Sequence, residues 1–135
     1  MKQEDIELLL KDLCARLPYK VYAQIPDDDE GYISAIESVD IDGFVTDFEG
    51  VQMEVENVKP YLFPLSSMTE EQKEKLCILC DWHDNKNDAK SILVLYQGQF
   101  VMNTNVIDWF NKNHFDYRGL IQKGLALDAT GLNIY

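Results

Sequence analysis

The stretch YISAIESVDIDGFVTDFEGVQMEVENV, residues 32–58, decides the fold, because it reads as short strands joined by tight turns. In its last part, Val51, Met53 and Val55 alternate with polar residues, which is the period of a strand with one side facing solvent. Asp-Gly at 42–43 and Glu-Gly at 49–50 are turn signals between strands. The segment therefore predicts antiparallel strands with one buried and one wet face.

The same pattern extends toward the N-terminus. KVYAQIP (20–26) alternates polar or aromatic residues with the apolar Val21, Ala23 and Ile25, and the polar turn DDDEG (27–31) follows it. In residues 32–41 four apolar residues are expected on one face, with Glu37 as an exception; the four are Ile33, Ala35, Val39 and Ile41. We predict three or four short strands here, and we expect KPYLFPL (59–65), with its two prolines, to leave the sheet.

Helices are predicted on both sides of this block. Residues 3–17 carry apolar residues at helical spacing before Pro18, and these are Ile6, Leu9, Leu10, Leu13 and Leu17. Such a stripe normally packs on the domain's own core. Thr69 and Gln72 have the spacing of a capping box, which predicts a helix from Glu70 into residues 77–84.

The C-terminal third is also predicted to be mainly helical. Thr104 or Asn105 caps a helix over 106–114, Asp116 caps a short turn, and Gly124 ends that turn in a left-handed conformation. SILVLY (91–96) is either a strand buried on both faces or a helical turn, since periodicity does not separate the two. Residues 126–135 are expected to be extended or frayed.

These elements predict an α+β fold in which a small antiparallel sheet of three to five strands packs against three or four helices. At 135 residues the chain has the length of one domain, 1–135. It divides into an N-terminal helix at 1–18, an acidic β-meander at 19–59 and a helical part at 66–135, with the extra strand at 91–96 as an option.

Charge is distributed unevenly. The net charge is −12. Residues 21–58 contain no Lys or Arg, and they hold eleven acids: Asp27, Asp28, Asp29, Glu30, Glu37, Asp40, Asp42, Asp47, Glu49, Glu54 and Glu56. This block is expected on the wet face of the sheet and its turns. It argues against direct binding of nucleic acid or of a membrane, and it favours a basic protein partner.

Hydropathy and cysteine content indicate the cellular compartment in which the protein is expected. No apolar run approaches the roughly 20 residues that a bilayer-spanning helix needs. The opening MKQEDIELLLKDL lacks the uninterrupted apolar core of a secretory signal, and three cysteines do not suggest a disulfide framework. We therefore expect a cytoplasmic protein, and no motif calls for a cofactor.

CILCDWHD (77–84) is the first segment that resembles a metal or redox site. On a helix, Cys77 and His83 are separated by about 9 Å of rise, so one regular helix does not bring both to one ion. The C-x-x-C also lies about two turns inside the predicted helix, whereas the cysteines of a redox pair lie at the N-terminus of a helix. We therefore prefer to interpret Cys77 and Cys80 as residues of a core helix. Cys77, Cys80 and His83 are kept as the alternative, a metal site.

Two other clusters have ordinary structural interpretations. Asp40, Asp42, Gly43 and Asp47 do not match the spacing of an EF-hand loop, so we predict a hairpin turn. His114 with Asp116 suggests acid–base chemistry, but no nucleophile elbow, phosphate loop or metalloprotease motif accompanies them. His114 is interpreted as a helix-capping residue.

We name no catalytic residue. The favoured function is a non-enzymatic acidic interaction or regulatory protein. Its partner-binding candidates are Asp27, Asp28, Asp29, Glu30, Asp47, Glu49, Glu54 and Glu56. The alternative is a small enzyme or a metal or redox protein that uses Cys77, Cys80 and His83, or His114 and Asp116. In a third interpretation the acids serve only solubility.

Three segments resemble a family of small uncharacterised proteins from gut-dwelling anaerobic bacteria and their phages or mobile elements. They are LKDLCARLPYKV (10–21), KPYLFPLSSMTEEQKEKL (59–76) and NKNHFDYRGLIQKGLALDA (111–129). The family has no established activity, so the resemblance transfers no site residue. It implies a bacterial or phage origin, with a regulatory role in a mobile element.

Overall fold

A computed structural model describes residues 1–27, 30–79 and 104–135, which form an α+β fold. The helices of these ranges are α1 (Gln3–Arg16), α2 (Glu70–Leu79) and α3 (Thr104–Lys112). The strands are β1 (Tyr22–Ile25), β2 (Tyr32–Val39), β3 (Phe44–Asp47), β4 (Gln52–Glu54), β5 (Lys59–Leu62) and β6 (Leu127–Asp128). Short 3₁₀ turns lie at Leu17–Tyr19, Val55–Asn57 and Leu65–Ser67. The option at 91–96 lies outside the described residues.

The six strands form one mixed sheet in the order β4-β3-β2-β1-β5-β6. The pairs from β4 through β5 are antiparallel, and β6 adds in parallel to β5, with Tyr61 opposite Leu127. The prediction of an α+β class is confirmed. The prediction of three to five purely antiparallel strands is wrong, because two segments read as irregular, 59–62 and 127–128, join the sheet.

Pro60 explains why the sequence pattern does not reveal β5. A proline normally argues against a central strand because it offers no N–H to the ladder. Here Pro60 lies opposite Ala23 of β1, and the parallel pairing with β6 begins only at Tyr61. Because Pro60 precedes the residues that pair with β6, its missing N–H breaks no pairing with that strand, and β5 remains in the sheet.

A β-bulge in β2 makes the predicted buried face of that strand only partly correct: Ala35 is buried and Val39 packs on the core as expected, but Ile33 and Ile41 are exposed. Ile36 pairs with Asp47 and Ser38 with Thr46, so Glu37 is an extra residue. Before the bulge, Ile36 is buried, and after it Val39 packs on the core, while Ile33 is 45% exposed and lies outside the core. The inserted residue changes the phase of alternation, which a uniform period of two does not anticipate.

Two successive hairpin turns share one design, and each is built by an aspartate. Asp40 Oδ1 accepts the backbone N–H groups of residues 42 and 44 at 2.9 and 3.0 Å. Asp47 Oδ1 accepts those of residues 49 and 51 at 2.9 Å each. Gly43 and Gly50 adopt φ values of +87° and +88°, a conformation that favours glycine. The hairpin prediction for 40–43 is confirmed. Val51, which we expected to face inward, lies in the second turn and is exposed.

The main core lies between α1 and the sheet. Leu9 and Leu13 of α1 are fully buried, and Ile6, Leu10 and Leu17 pack on the same cluster, as the helical stripe predicted. The sheet and the C-terminal segment contribute other buried side chains, and these include Val21, Ala23, Ile25, Ile36, Val45, Val55, Leu62, Leu120 and Leu125. No helix in the described ranges is long and apolar enough to cross a membrane.

A second core cluster joins α2 and α3 to the chain that follows β5. Its buried members are Leu65, Met68, Leu76, Val106, Phe110, Phe115 and Tyr117. The predicted capping box begins α2: the Thr69 N–H donates to Gln72 Oε1 at 2.8 Å, and the Gln72 N–H donates to Thr69 Oγ1 at 3.2 Å. Thr104 and Asn105, one of which we expected as a cap, both lie within α3.

The end of α3 is closed by a Schellman motif. The Phe115 N–H donates to the Phe110 carbonyl at 3.0 Å and the His114 N–H to the Asn111 carbonyl at 3.2 Å. His114 occupies the left-handed position, with φ +62°, where glycine is usual. His114 thus caps α3 through its backbone, and the rings of Phe110 and Phe115 supply the apolar contact of the motif.

A fully buried ion pair links the two clusters. Arg16 Nε donates to Asp12 Oδ2 at 2.7 Å and Arg16 Nη2 to Asp12 Oδ1 at 3.1 Å, and both side chains are 0% exposed. Arg16 Nη2 also donates to the Phe115 carbonyl at 2.7 Å. One guanidinium from α1 therefore holds the segment that follows α3.

We predict that Asp12→Leu lowers the free energy of unfolding by about 4 kcal/mol, because it leaves Arg16 charged and buried without a carboxylate. Arg16→Met should cost less, about 2–3 kcal/mol, because Arg118 Nε still lies 3.4 Å from Asp12 Oδ1. Urea unfolding measures both values.

The matched control is Glu71→Leu, which breaks the Lys75–Glu71 pair at the same i,i+4 spacing, with side chains 62% and 80% exposed. Its cost should be about 0.5 kcal/mol or less. If Asp12→Leu costs no more than this control, the buried pair does not have the assigned role.

Candidate functional site

Acids of residues 21–58 lie at both ends of β2 in the described part of the chain. Asp27 and Glu30 flank the β1–β2 turn, whereas Asp40 and Asp42 lie in the β2–β3 turn. The eight residues of β2 separate these turns by roughly 25 Å at about 3.3 Å per residue. The acids of these two turns therefore do not belong to one local site.

The group near the β2–β3 turn borders a groove between α1 and the edge of the sheet. The groove has a volume of about 320 Å³. We call it the acidic groove and define it by Ile6, Leu10, Asp42, Phe44, Glu54 and Glu56. Ile6 and Leu10 come from the solvent-facing margin of the α1 stripe, while Phe44 and Glu54 are paired across β3 and β4.

Local hydrogen bonds fix the rim of the groove. The Val55 N–H donates to the Gly43 carbonyl at 2.9 Å, which holds the end of β4 against the β2–β3 turn. The 3₁₀ turn at Val55–Asn57 then places Glu56 close to Glu54. A hydrogen bond with Glu56, and the negative charge of that residue, raise the pKa of Glu54.

Apolar groups lie beside these carboxylates. Ile41 is 97% exposed and Phe44 is 37% exposed, and both line the groove. None of the described residues that line it is Lys or Arg. Asp42, Glu54 and Glu56 also form no ion pair with a cation of the described ranges. The groove thus combines uncompensated negative charge with apolar area.

At the opposite end of β2 a positive charge lies close to the acids. Asp27 and Glu30 border a hollow of about 270 Å³ together with Lys59, so a cation lies beside these acids. Asp28 and Asp29 lie outside the described residues. Glu49 is exposed in the β3–β4 turn, away from the groove lining.

Only part of the predicted partner-binding set therefore comes together. Glu54 and Glu56 lie side by side in the acidic groove. Asp42 joins them there, although charge composition alone offers no reason to prefer it over the other acids of the block.

Asp47 requires a correction, because it is 0% exposed rather than part of a wet surface. Besides the two backbone N–H groups it accepts, Oδ2 accepts the Tyr32 hydroxyl at 2.6 Å. Burial alone would raise the pKa of Asp47, but these hydrogen bonds hold it below its usual value. The bond to Asp47 raises the pKa of Tyr32 to about 12. Asp47 is thus a structural residue of the turn, not a contact for a partner.

The cysteine cluster is described only in part. Cys77 lies within α2, which runs through Leu79, so the helical interpretation of 77–84 is confirmed over its first residues. Cys80 and His83 lie outside the described residues, and their metal or redox role stays a prediction. Within the described ranges no group of His, Cys, Asp or Glu has the geometry to hold a metal ion.

His114 and Asp116 do not form an acid–base pair. Asp116 accepts the N–H groups of Leu120 and Ile121 at 2.9 Å each, which confirms its predicted capping role. The His114 ring instead stacks on Tyr135, with ring centroids 3.6 Å apart, and its buried Nδ1 has no hydrogen-bond partner among the described residues. Burial and the positive charge of Arg16 lower the pKa of His114 to about 4.

Tyr135 fastens the end of the chain to the sheet. Its hydroxyl accepts the Tyr22 N–H at 3.0 Å and donates to the Tyr61 carbonyl at 2.7 Å. Burial raises the pKa of Tyr135 to about 12. Of the two expected states, extended or frayed, the structure shows the extended one, because residues 127 and 128 pair with β5 and the Tyr135 side chain anchors the last residue.

Comparison of the chain with family models, with curated proteins and with solved structures found no match.

We predict that Glu56→Gln returns the pKa of Glu54 toward its usual value, because the substitution removes the neighbouring charge and supplies an amide donor. An NMR titration that follows the side-chain carboxyl carbon of Glu54 measures this pKa. Glu49→Gln, outside the groove, should leave the Glu54 titration unchanged. An equal response to both substitutions would contradict the assigned pairing.

We predict that stability depends on His114 between pH 7 and pH 5. The folded pKa of about 4 lies below the ordinary value of 6.5, so the folded state binds fewer protons. The stabilising effect is full above pH 6.5 and is lost as the pH falls toward 4. Because the ring is only partly buried and solvent screens its charge, the loss between pH 7 and 5 is about 1 kcal/mol.

His114→Asn should remove this part of the pH dependence, since asparagine also tolerates the left-handed backbone. Urea unfolding of both proteins at pH 7 and 5 provides the comparison, and His83 is common to both. Identical pH dependence in the two proteins would show that His114 is not the titrating group.

Proposed function

We propose that this protein is a non-enzymatic interaction module that binds a basic segment of a partner protein in the acidic groove. The observation that carries the proposal is the combination of three carboxylates with exposed apolar side chains and no cation among the described residues of the groove lining. A solvated surface kept for solubility alone does not require Ile41 to be 97% exposed beside them.

The chemistry of the groove defines the partner segment. Lysine or arginine side chains would meet Asp42, Glu54 and Glu56, and an apolar residue between them would cover Phe44 and Ile41. The hydrogen bond with Glu56 and the negative charge of Glu56 raise the pKa of Glu54, and a partner cation would relieve the charge repulsion between the two residues. Charge complementarity of this kind accelerates association and gives specificity, and it weakens with salt.

The resemblance to proteins of phages and mobile elements supports a regulatory role for such binding. A basic protein partner also agrees with the net charge of −12 and with the absence of Lys and Arg from residues 21–58.

A peptide selection tests this proposal, because it samples partner segments of every composition. Random peptides displayed on phage are selected on the wild-type protein and counter-selected on Glu54→Lys. Enriched peptides should contain Lys or Arg around an apolar residue, and their affinity should fall as salt rises from low to physiological concentration. Measured by fluorescence anisotropy, Glu54→Lys should weaken binding roughly tenfold or more.

Glu49→Lys is the matched control, because it makes the same charge reversal in the β3–β4 turn outside the groove lining. It should change affinity by about twofold or less. The proposal is wrong if the enriched peptides lack basic residues, or if both reversals weaken binding equally.

A further inference from the structure

A second cleft in the molecule has the opposite electrical character. It has a volume of about 600 Å³ and lies between the segment after β5 and the turns that follow α3. We call it the C-terminal cleft and define it by Pro64, Leu65, Arg118, Ile121, Gln122 and Lys123. Its size falls within the range of small-molecule sites.

The positive charge of Arg118, on the wall of the C-terminal cleft, is not fully neutralised. Arg118 Nε lies 3.4 Å from Asp12 Oδ1, close enough for an ion pair, yet this nitrogen is buried and makes no hydrogen bond within the described part of the chain. Asp12 already accepts two bonds from the fully buried Arg16. One carboxylate therefore faces two guanidinium groups, and a positive charge remains in excess beside the cleft.

The ring of Tyr117 fixes this arrangement. The guanidinium carbons of Arg16 and Arg118 lie 5.2 and 5.0 Å from the centre of the ring. Arg118 Nη2 is also 3.4 Å from the Tyr117 hydroxyl. A planar guanidinium held against an aromatic ring is pre-oriented for an oxyanion, and less conformational entropy is lost when the anion binds.

The remaining lining suits an anion with an apolar part. Lys123 adds an exposed cation. Among the described lining residues the only carboxylate is that of Asp116, and both of its oxygens accept backbone N–H groups, those of residues 120 and 121. Pro64, Leu65 and Ile121 supply apolar contacts. None of the described acids of residues 21–58 lines this cleft.

We infer that the C-terminal cleft binds a small molecule that carries a phosphate or carboxylate group, with Arg118 as the main contact for the oxyanion. Lys123 provides longer-range attraction. This inference does not depend on the basic partner proposed for the acidic groove.

Ligand-observed NMR and calorimetry with phenyl phosphate and with benzoate test the inference, with sodium chloride matched between samples. Saturable binding of either probe is expected, and the tighter probe identifies the preferred oxyanion. Arg118→Gln should weaken binding roughly tenfold or more, because it removes the charge-assisted bond. Lys123→Gln should weaken it only a few-fold.

Gln122→Glu provides a variant that leaves the Asp12 pair intact, because it places a new carboxylate on the exposed side of the cleft. It should weaken binding roughly as much as Arg118→Gln through like-charge repulsion. Lys75→Gln removes an equal charge from exposed α2 and should leave binding within about twofold.

Failure of both probes to bind would overturn the inference. So would binding that Arg118→Gln and Gln122→Glu leave unchanged, or that Lys75→Gln weakens as much as they do.

Discussion

The structure depends on a guanidinium that has no access to solvent. Arg16 is 0% exposed, pairs with Asp12 one helical turn away, and reaches the Phe115 carbonyl 99 residues along the chain. A buried charge is stabilised by pairing and by hydrogen bonds, so this contact fixes the chain after α3 against α1, although the buried Nη1 of Arg16 has no partner among the described residues. Burial, together with the charge of Arg16, lowers the pKa of His114 to about 4, so its imidazole is neutral at physiological pH. The two hydrogen bonds from Arg16 to Asp12 use one acceptor site on each carboxylate oxygen, and Arg118 Nε lies 3.4 Å from Oδ1 without a hydrogen bond.

How far the sequence predicted these features depended on the range of the interactions. The α1 stripe, the Thr69–Gln72 capping box, the turn at Asp40 and the backbone cap at Asp116 are local patterns, and the structure confirms them. The bulge at Glu37 and the strand containing Pro60 were missed, because pairing partners elsewhere in the chain decide both. Asp12 and Arg16 were also missed, since an i,i+4 pair of opposite charges is typical of an exposed helix face.

In the candidate site, too, the local patterns were predicted and the long-range contacts were not. Charge composition located the acidic block correctly, but only the register of β3 and β4 brings Glu54 beside the β2–β3 turn and leaves Asp47 inside the fold. Asp40 and Asp47 are identical in type and build similar turns, yet Tyr32 buries one of them. No count of acidic residues could separate these two roles.

The backbone at His114 follows from its side chain. The left-handed position of a Schellman motif favours glycine, and a side chain there costs roughly 1 kcal/mol. The imidazole offsets this cost by stacking on Tyr135, whose hydroxyl bonds the backbone of β1 and β5. Glycine would relax the backbone and leave the tyrosine ring without its neighbour. Protonation would charge a partly buried ring and place a second positive charge near Arg16, so the folded state favours the neutral imidazole beside the Tyr135 anchor.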